Sequence, residues 1–144
     1  MSAKFFLDTN ILVYSFDASQ PEKKERALVL IGDALQSGQG IISTQVMQEF
    51  LNVATRKFVT PLTAEDGKAY LRMVLGPLCK VYSDLALYEA SLDLQQETNY
   101  SFYDALILAS ALRAGCEILY SEDLQSGQQI RGLVIVNPFK SVAR

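Results

Sequence analysis

Apolar positions along the chain switch repeatedly between short continuous runs and spaced helical patterns. The run at residues 4–7 stops at an acid, and it predicts a buried parallel strand feeding a helix through Asp8, Thr9 and Asn10. Ser19-Gln20-Pro21-Glu22 has capping-box spacing with proline in the first turn. Ala27, Leu28, Leu30, Ile31 and Leu35 then predict a helix of about five turns that ends at Gly38. Gly40-Ile41-Ile42 predicts a second strand, and Ser43 or Thr44 caps a helix through Val46, Phe50, Val53 and Ala54 towards Phe58. Thr63 with Asp66 opens another helix, which ends near Gly76-Pro77. Residues 79–82 read as a strand and 84–98 as a helix. Ser101 with Asp104 repeats the Ser-x-x-Asp signal before the apolar helix ALILASALRAG, which Gly115 ends. Residues 117–120 and 133–136 give the last two strands, the latter closed by Asn137-Pro138.

Short apolar strands alternating with helices predict an α/β fold with a mainly parallel, helix-covered sheet. The length of 144 residues, 49% of them hydrophobic, suits one domain over 1–144, without internal repeat, low-complexity tract or linker. No segment approaches about 18 uninterrupted apolar residues, and the N-terminus lacks the layout of a signal peptide, so no membrane association is expected. Cys79 and Cys116 match neither a metal-binding CxxC spacing nor a disulfide framework; they read as core thiols of a cytoplasmic protein. A net charge of -3 argues mildly against indiscriminate coating of nucleic acid, though a local basic patch remains compatible with it.

The chain has no histidine. That excludes Ser-His-Asp and Cys-His nucleophile systems and any histidine-ligated zinc or iron site. Catalysis, if present, falls to carboxylates, hydroxyls, lysine or a metal held by oxygen ligands.

Four acids stand where acids are costly or oddly isolated. Asp8 ends the first strand, and Ser121-Glu122-Asp123 follows the strand EILY, both positions where open parallel sheets bind ligands. Asp104 opens the most apolar helix. Glu49, placed at about 100° per residue, falls at the margin of the apolar arc of its helix and can lean towards a cleft or towards water. Each acid also has an ordinary role: Asp8 as a helix cap, Glu49 as a solvated side chain, Asp104 as the third position of a capping box, Asp123 as a turn acid. If several meet in one crevice, their repulsion calls for a cation, and oxygen-only ligation suits Mg²⁺ or Mn²⁺.

The stretches FFLDTNILVY, ISTQVMQEFLNV, YDALILASALRAGC and LYSEDLQSGQQIRGLVIVNPF together resemble the PIN-domain ribonucleases, and within them the VapC-like toxins of type II toxin–antitoxin pairs. They run in the family's order over nearly the whole chain. The resemblance implies an α/β/α sandwich, PIN-like and Rossmann-like, with a metal-dependent acidic site. Carried over position by position, the family's acids fall on Asp8, Glu49, Asp104 and Asp123. Asn10 and Ser121 match its supporting polar residues. Glu122, adjacent to Asp123, is a second acid at the last position; spacing from Ser121 favours Asp123. The resemblance further implies endonucleolytic RNA cleavage with Mg²⁺ or Mn²⁺, a cognate antitoxin and a homodimer.

Other residues supply RNA contacts only as a class: Lys23, Lys24, Arg26, Arg56, Lys57, Arg113 and Arg131 for phosphates, and Tyr100, Phe102 and Tyr103 for stacking, with core packing the expected role of at least two of these aromatics. Rival readings are a PIN-like scaffold that binds RNA or protein without cutting, a housekeeping PIN nuclease without an antitoxin, and a phosphotransfer domain with Asp8 as acceptor. The phosphotransfer reading lacks the Asp-x-Asp that it needs at the first strand, and no GxxxxGK loop is present.

Overall fold

A computed structural model describes residues 3–140, so the outermost residues of the expected 1–144 domain lie outside the described part. Strands β1 (Phe5–Leu7), β2 (Gly40–Ser43), β3 (Cys79–Val81), β4 (Ile118–Tyr120), β5 (Gln129–Ile130) and β6 (Leu133–Val136) form one sheet in the order β3-β2-β1-β4-β6-β5. All neighbours are parallel except β5 and β6. Helices α1 (Thr9–Tyr14), α2 (Pro21–Ser37), α3 (Thr44–Arg56), α4 (Ala64–Tyr70), α5 (Gly76–Leu78), α6 (Leu85–Thr98) and α7 (Phe102–Arg113) flank it. This is the α/β architecture that the alternating pattern predicts.

The central strands β1 and β2 are near-continuous buried runs, as a parallel sheet covered on both faces requires. Phe6, Leu7, Ile42, Leu119, Leu133 and Ile135 join Phe50 and Leu108 in the core. Strand β1 is followed in space by β2 and β3 on one side and by β4 on the other, so the strand order reverses at β1. Ligands of such sheets bind beyond the carboxyl ends at that switch point. The ladder carries on one residue past the strand: the Asp8 amide donates to the Tyr120 carbonyl at 3.0 Å. The backbone of Asp8 is thereby fixed beside the end of β4.

Most caps follow the sequence. Ser43, Thr63, Asp84 and Ser101 each accept from the amide three residues on. Ser19 does not: Gln20 is the cap residue of α2, with Pro21 at its start and no side-chain cap bond. The Ser19 hydroxyl instead donates to Asp17 Oδ1 at 2.5 Å, which removes it from the predicted capping box. Helix α3 stops at Arg56, short of Phe58. The helix expected from Thr63 to Gly76 is interrupted by a π-turn over Leu71–Leu75, where the Gly76 amide reaches the Leu71 carbonyl. Pro77 explains it: lacking an N–H, it cannot continue the α ladder, and the register widens just before it. The β5–β6 hairpin, absent from the predicted elements, turns on Arg131 (φ 51°) and Gly132 (φ 86°), a pair of left-handed residues suited to a two-residue hairpin loop.

Both cysteines are buried and free, and burial pushes the Cys116 thiol up to about 12. Among the described residues no helix is long and apolar enough to cross a membrane. One close approach sets the layer spacing. A Cβ at Gly40 would lie 2.0 Å from Ala34 Cβ and 2.6 Å from Ala34 Cα, so β2 and α2 pack here through a missing side chain. Gly40→Ala is expected to cost about 1–3 kcal/mol through overpacking. Its check is a thermal melt, in which each kcal/mol moves the midpoint by about 2–4 °C for a chain of this size.

Candidate functional site

Asp8 caps α1 from the end of β1, and its side chain is held from two directions. Oδ1 accepts from the Thr9 amide at 2.7 Å, and Oδ2 accepts from the Ser121 hydroxyl at 2.8 Å. Ser121 is fully buried at the end of β4, and its Oγ in turn accepts from the amides of Asp123 and Leu124 at 3.2 and 3.3 Å. One hydroxyl therefore fixes both the carboxylate of Asp8 and the turn that carries Asp123.

Glu49 leans towards the sheet end rather than towards water. Its Oε1 accepts from the Thr9 hydroxyl at 2.6 Å, and its Oε2 from Gln45 Nε2 at 3.3 Å. The buried Gln45 also donates to the Tyr103 carbonyl at 3.1 Å, and so couples Glu49 to the residue before Asp104. Asp104 lies in the first turn of α7, its amide held by Ser101 Oγ at 3.2 Å. Neither Thr9 nor Gln45 is marked by the sequence reading. The signal for Gln45 is a buried polar residue four positions before Glu49 on one helix face, which periodicity alone does not separate from a surface glutamine.

The electrostatics tie these acids together. Burial pushes the Asp8 carboxyl up to about 6, against the pull of the Ser121 and Thr9 bonds, and the charges of Asp123 and Glu49 push in the same direction as burial. Asp123 is also raised, first by partial desolvation and then by Glu122 and Asp104, with Glu49 adding and the Asn10 side chain opposing. The structure thus places Asp123 and Glu49 within electrostatic reach of Asp8 at the switch point, and Glu122, Asp104 and Glu49 within reach of Asp123.

Glu122 faces elsewhere. Its carboxylate accepts from the Tyr14 hydroxyl and from Lys23 Nζ, each at 2.6 Å. Burial pushes it up, but these two bonds prevail and hold it below the usual carboxylate range.

Whether a divalent cation suits this place turns on the donors. All are oxygens, the carboxylates repel one another, and Asn10 Oδ1 is a buried acceptor with no donor. That set fits a hard cation such as Mg²⁺ or Mn²⁺. Among the described residues no three His, Cys, Asp or Glu side chains stand at metal-holding distance from a common point.

Of the basic residues, Lys23, Arg113 and Arg131 are engaged in ion pairs with Glu122, Asp84 and Glu97. Lys24, Arg26, Arg56 and Lys57 are in none among the described residues. Tyr100 is spent on structure, donating to Gln128 Oε1 and accepting from the Gln125 amide, and Phe102 packs against Tyr88. Tyr103 is exposed beside Asp104. A cavity of about 700 Å³ is lined in part by Val13, Phe16, Val53, Phe58 and Val59 and by none of Asp8, Glu49, Asp104 and Asp123.

A model of the PIN domain matches residues 5–126, a span that contains all four acids. No curated protein matches the chain. Among solved structures, a toxin–antitoxin complex from Klebsiella pneumoniae is 26% identical with a TM-score of 0.63, over 95% of this chain and 98% of that one. DNA-bound VapBC from Salmonella typhimurium shares the fold at 20% identity and a TM-score of 0.59, over 93% of this chain and 97% of that one. So does VapC20 of Mycobacterium tuberculosis, described as a sarcin–ricin loop cleaving toxin, at 18% identity and a TM-score of 0.58, over 83% of this chain and 90% of that one.

Proposed function

The chain belongs to the PIN-domain family, and from that premise we propose that it is a divalent-metal-dependent endoribonuclease, the toxin of a toxin–antitoxin pair. The observation that carries the reading is the buried Asp8 at the strand-order switch, oriented by Ser121 and Thr9 and electrostatically coupled to Asp123 and Glu49. A carboxylate used only as a helix cap needs none of that company.

In this reading Asp8, Glu49, Asp104 and Asp123 hold Mg²⁺ or Mn²⁺, which when bound supplies an acidified water and charge neutralisation at the scissile phosphate. The chain's own residues do the arranging. Ser121 sets the Asp8 carboxylate, Thr9 and Gln45 set Glu49, and Asn10 lies beside Asp123. The reaction is hydrolysis: a water oxygen bonds to phosphorus, the bond to the 3′ oxygen breaks, and the downstream fragment keeps a 5′ phosphate. Phosphates of the RNA are drawn to Lys24, Arg26, Arg56 and Lys57, four of the basic side chains that are in no ion pair among the described residues.

An antitoxin partner is supported by the Klebsiella complex and by the apolar cavity around Phe16. The exposed stripe Leu85, Tyr88 and Leu92 on α6 supports self-association into a homodimer. The test of function is incubation of purified RNA with the protein in Mg²⁺ or Mn²⁺ and again in EDTA. Discrete fragments with 5′ phosphates, abolished by EDTA, are expected. RNA binding without cleavage, together with no measurable divalent-ion affinity, would instead favour a PIN-like scaffold.

A further inference from the structure

Glu122 sits between the two residues of its turn that serve the site: Ser121, bonded to Asp8, and Asp123, which feels Glu122 itself first and then Asp104 and Glu49. Its own carboxylate is fully engaged on the other side, by Tyr14 Oη and Lys23 Nζ. The ammonium of Lys23 also lies 3.4 Å from the Tyr14 hydroxyl and over two aromatic faces, 4.8 Å from the Tyr14 ring centre and 5.6 Å from that of Phe139. Those rings pack edge-to-face at 5.0 Å. About three-quarters of each charged side chain is covered, 23% of Lys23 and 25% of Glu122 being exposed, so salt screens the pair poorly. By contrast, Arg113 and Asp84 pair at 35% and 57% exposure.

The placement matters as much as the pairing. Tyr14 is the last residue of α1, and Asp8 is its cap. The turn after β4 is therefore fastened to both ends of α1, by Ser121 at Asp8 and by Glu122 at Tyr14. Without Lys23, the charge of Glu122 would be uncompensated one residue from Asp123, and its carboxylate would be free to swing towards the other acids.

Building on the metal-site reading above, we propose that Lys23 is a positioning residue of the acidic site. It neutralises Glu122 and holds it against α1 and α2, so that Asp123 alone represents this turn among the ligands.

The test is Mn²⁺ affinity by calorimetry for the wild type, Lys23→Met, Lys23→Arg, Glu122→Gln and the Lys23→Met/Glu122→Gln double variant, with Asp8→Asn as control and a thermal melt for each. Lys23→Met is expected to bind Mn²⁺ roughly three- to tenfold more tightly, because an unpaired carboxylate is left beside the site, and Glu122→Gln to bind more weakly by a similar factor. The double variant returns to the wild-type value, and Lys23→Arg stays there. A brace that only stabilises the fold would weaken every variant in step with its melting temperature, and the second substitution would not repair the first. That pattern overturns the proposal, as do equal affinities across the series while Asp8→Asn abolishes binding. If the wild type binds no Mn²⁺, the metal-site reading fails and this proposal falls with it.

Discussion

Asp8→Asn is expected to lose metal-dependent RNA cleavage by more than roughly a hundredfold, beyond the 10–100-fold that outer partners of a metal site typically carry, and yet to melt at a higher temperature than the wild type above pH 6. The two effects have one cause. Asp8 is buried among other acids, and its folded pKa of about 6 lies above the ordinary 3.8. The native state therefore holds this proton more tightly than the unfolded chain does. The carboxyl contributes no penalty below about pH 4; stability is lost as pH rises towards 6, and above that the full deficit remains, on the order of 3 kcal/mol from a shift of about two units. Asparagine carries no charge to desolvate. Its amide oxygen can keep the Thr9 bond, while its amide nitrogen faces a Ser121 hydroxyl oxygen that already accepts from the amides of Asp123 and Leu124, so the Ser121 bond is lost. That trade trims the gain to about 1–2 kcal/mol at pH 7.5. The check is a pair of melts at pH 4 and pH 7.5 with EDTA: Asp8→Asn should melt below the wild type at the lower pH, where only the disrupted Ser121 bond counts, and above it at the higher. Saturating Mn²⁺ should then raise the wild type alone, since only a native state that binds the ion is stabilised by it. An Asp8→Asn protein that cleaves at the wild-type rate would contradict the metal role of this residue.

The parts of this site that could be read from the chain are those encoded locally. Asp8 and Asp104 stand out because an acid that interrupts or opens an apolar run is visible within a few residues, and the caps Ser43 and Ser101 follow from a three-residue spacing. The direction of Glu49 was not legible. Its place at the margin of an apolar arc is compatible with either face, and what decides it is Thr9, from 40 residues upstream. Glu122 and Asp123 pose the same difficulty more sharply. Two adjacent acids look alike in composition; spacing from Ser121 favours Asp123, but the partners that engage Glu122, Tyr14 and Lys23, lie 108 and 99 residues away from it. The fold has parallel limits. Parallel strands in continuous apolar runs were plain, whereas the two-residue β5 is too short and too polar to show a period. Ser19 has capping-box spacing, yet Asp17 takes its hydroxyl, a competition that spacing does not rank.

Ser121→Ala should fail in the opposite way to Asp8→Asn, losing stability and metal affinity together. The fully buried hydroxyl serves three partners, donating to Asp8 Oδ2 and accepting from the amides of Asp123 and Leu124. Alanine leaves all three without it, and no water-exposed route compensates a group buried this deeply. Each stranded buried polar group costs about 1–3 kcal/mol, of which relaxation of the 121–124 turn recovers a part, so a net loss of about 2–4 kcal/mol is expected. Loss of the bond also removes one of the two donors that hold the Asp8 carboxyl down, so its pKa should rise further and the ion must displace a proton more often at neutral pH. Mn²⁺ affinity is expected to fall 10–100-fold, in the range of an outer partner that orients a ligand. The distinguishing measurement is affinity against pH: the deficit of Ser121→Ala should narrow as pH rises and Asp8 ionises, whereas Asp8→Asn, having no carboxylate to recover, should stay without measurable affinity throughout. A Ser121→Ala protein that loses stability but binds Mn²⁺ as the wild type does would reduce Ser121 to a brace of the turn and detach it from the site.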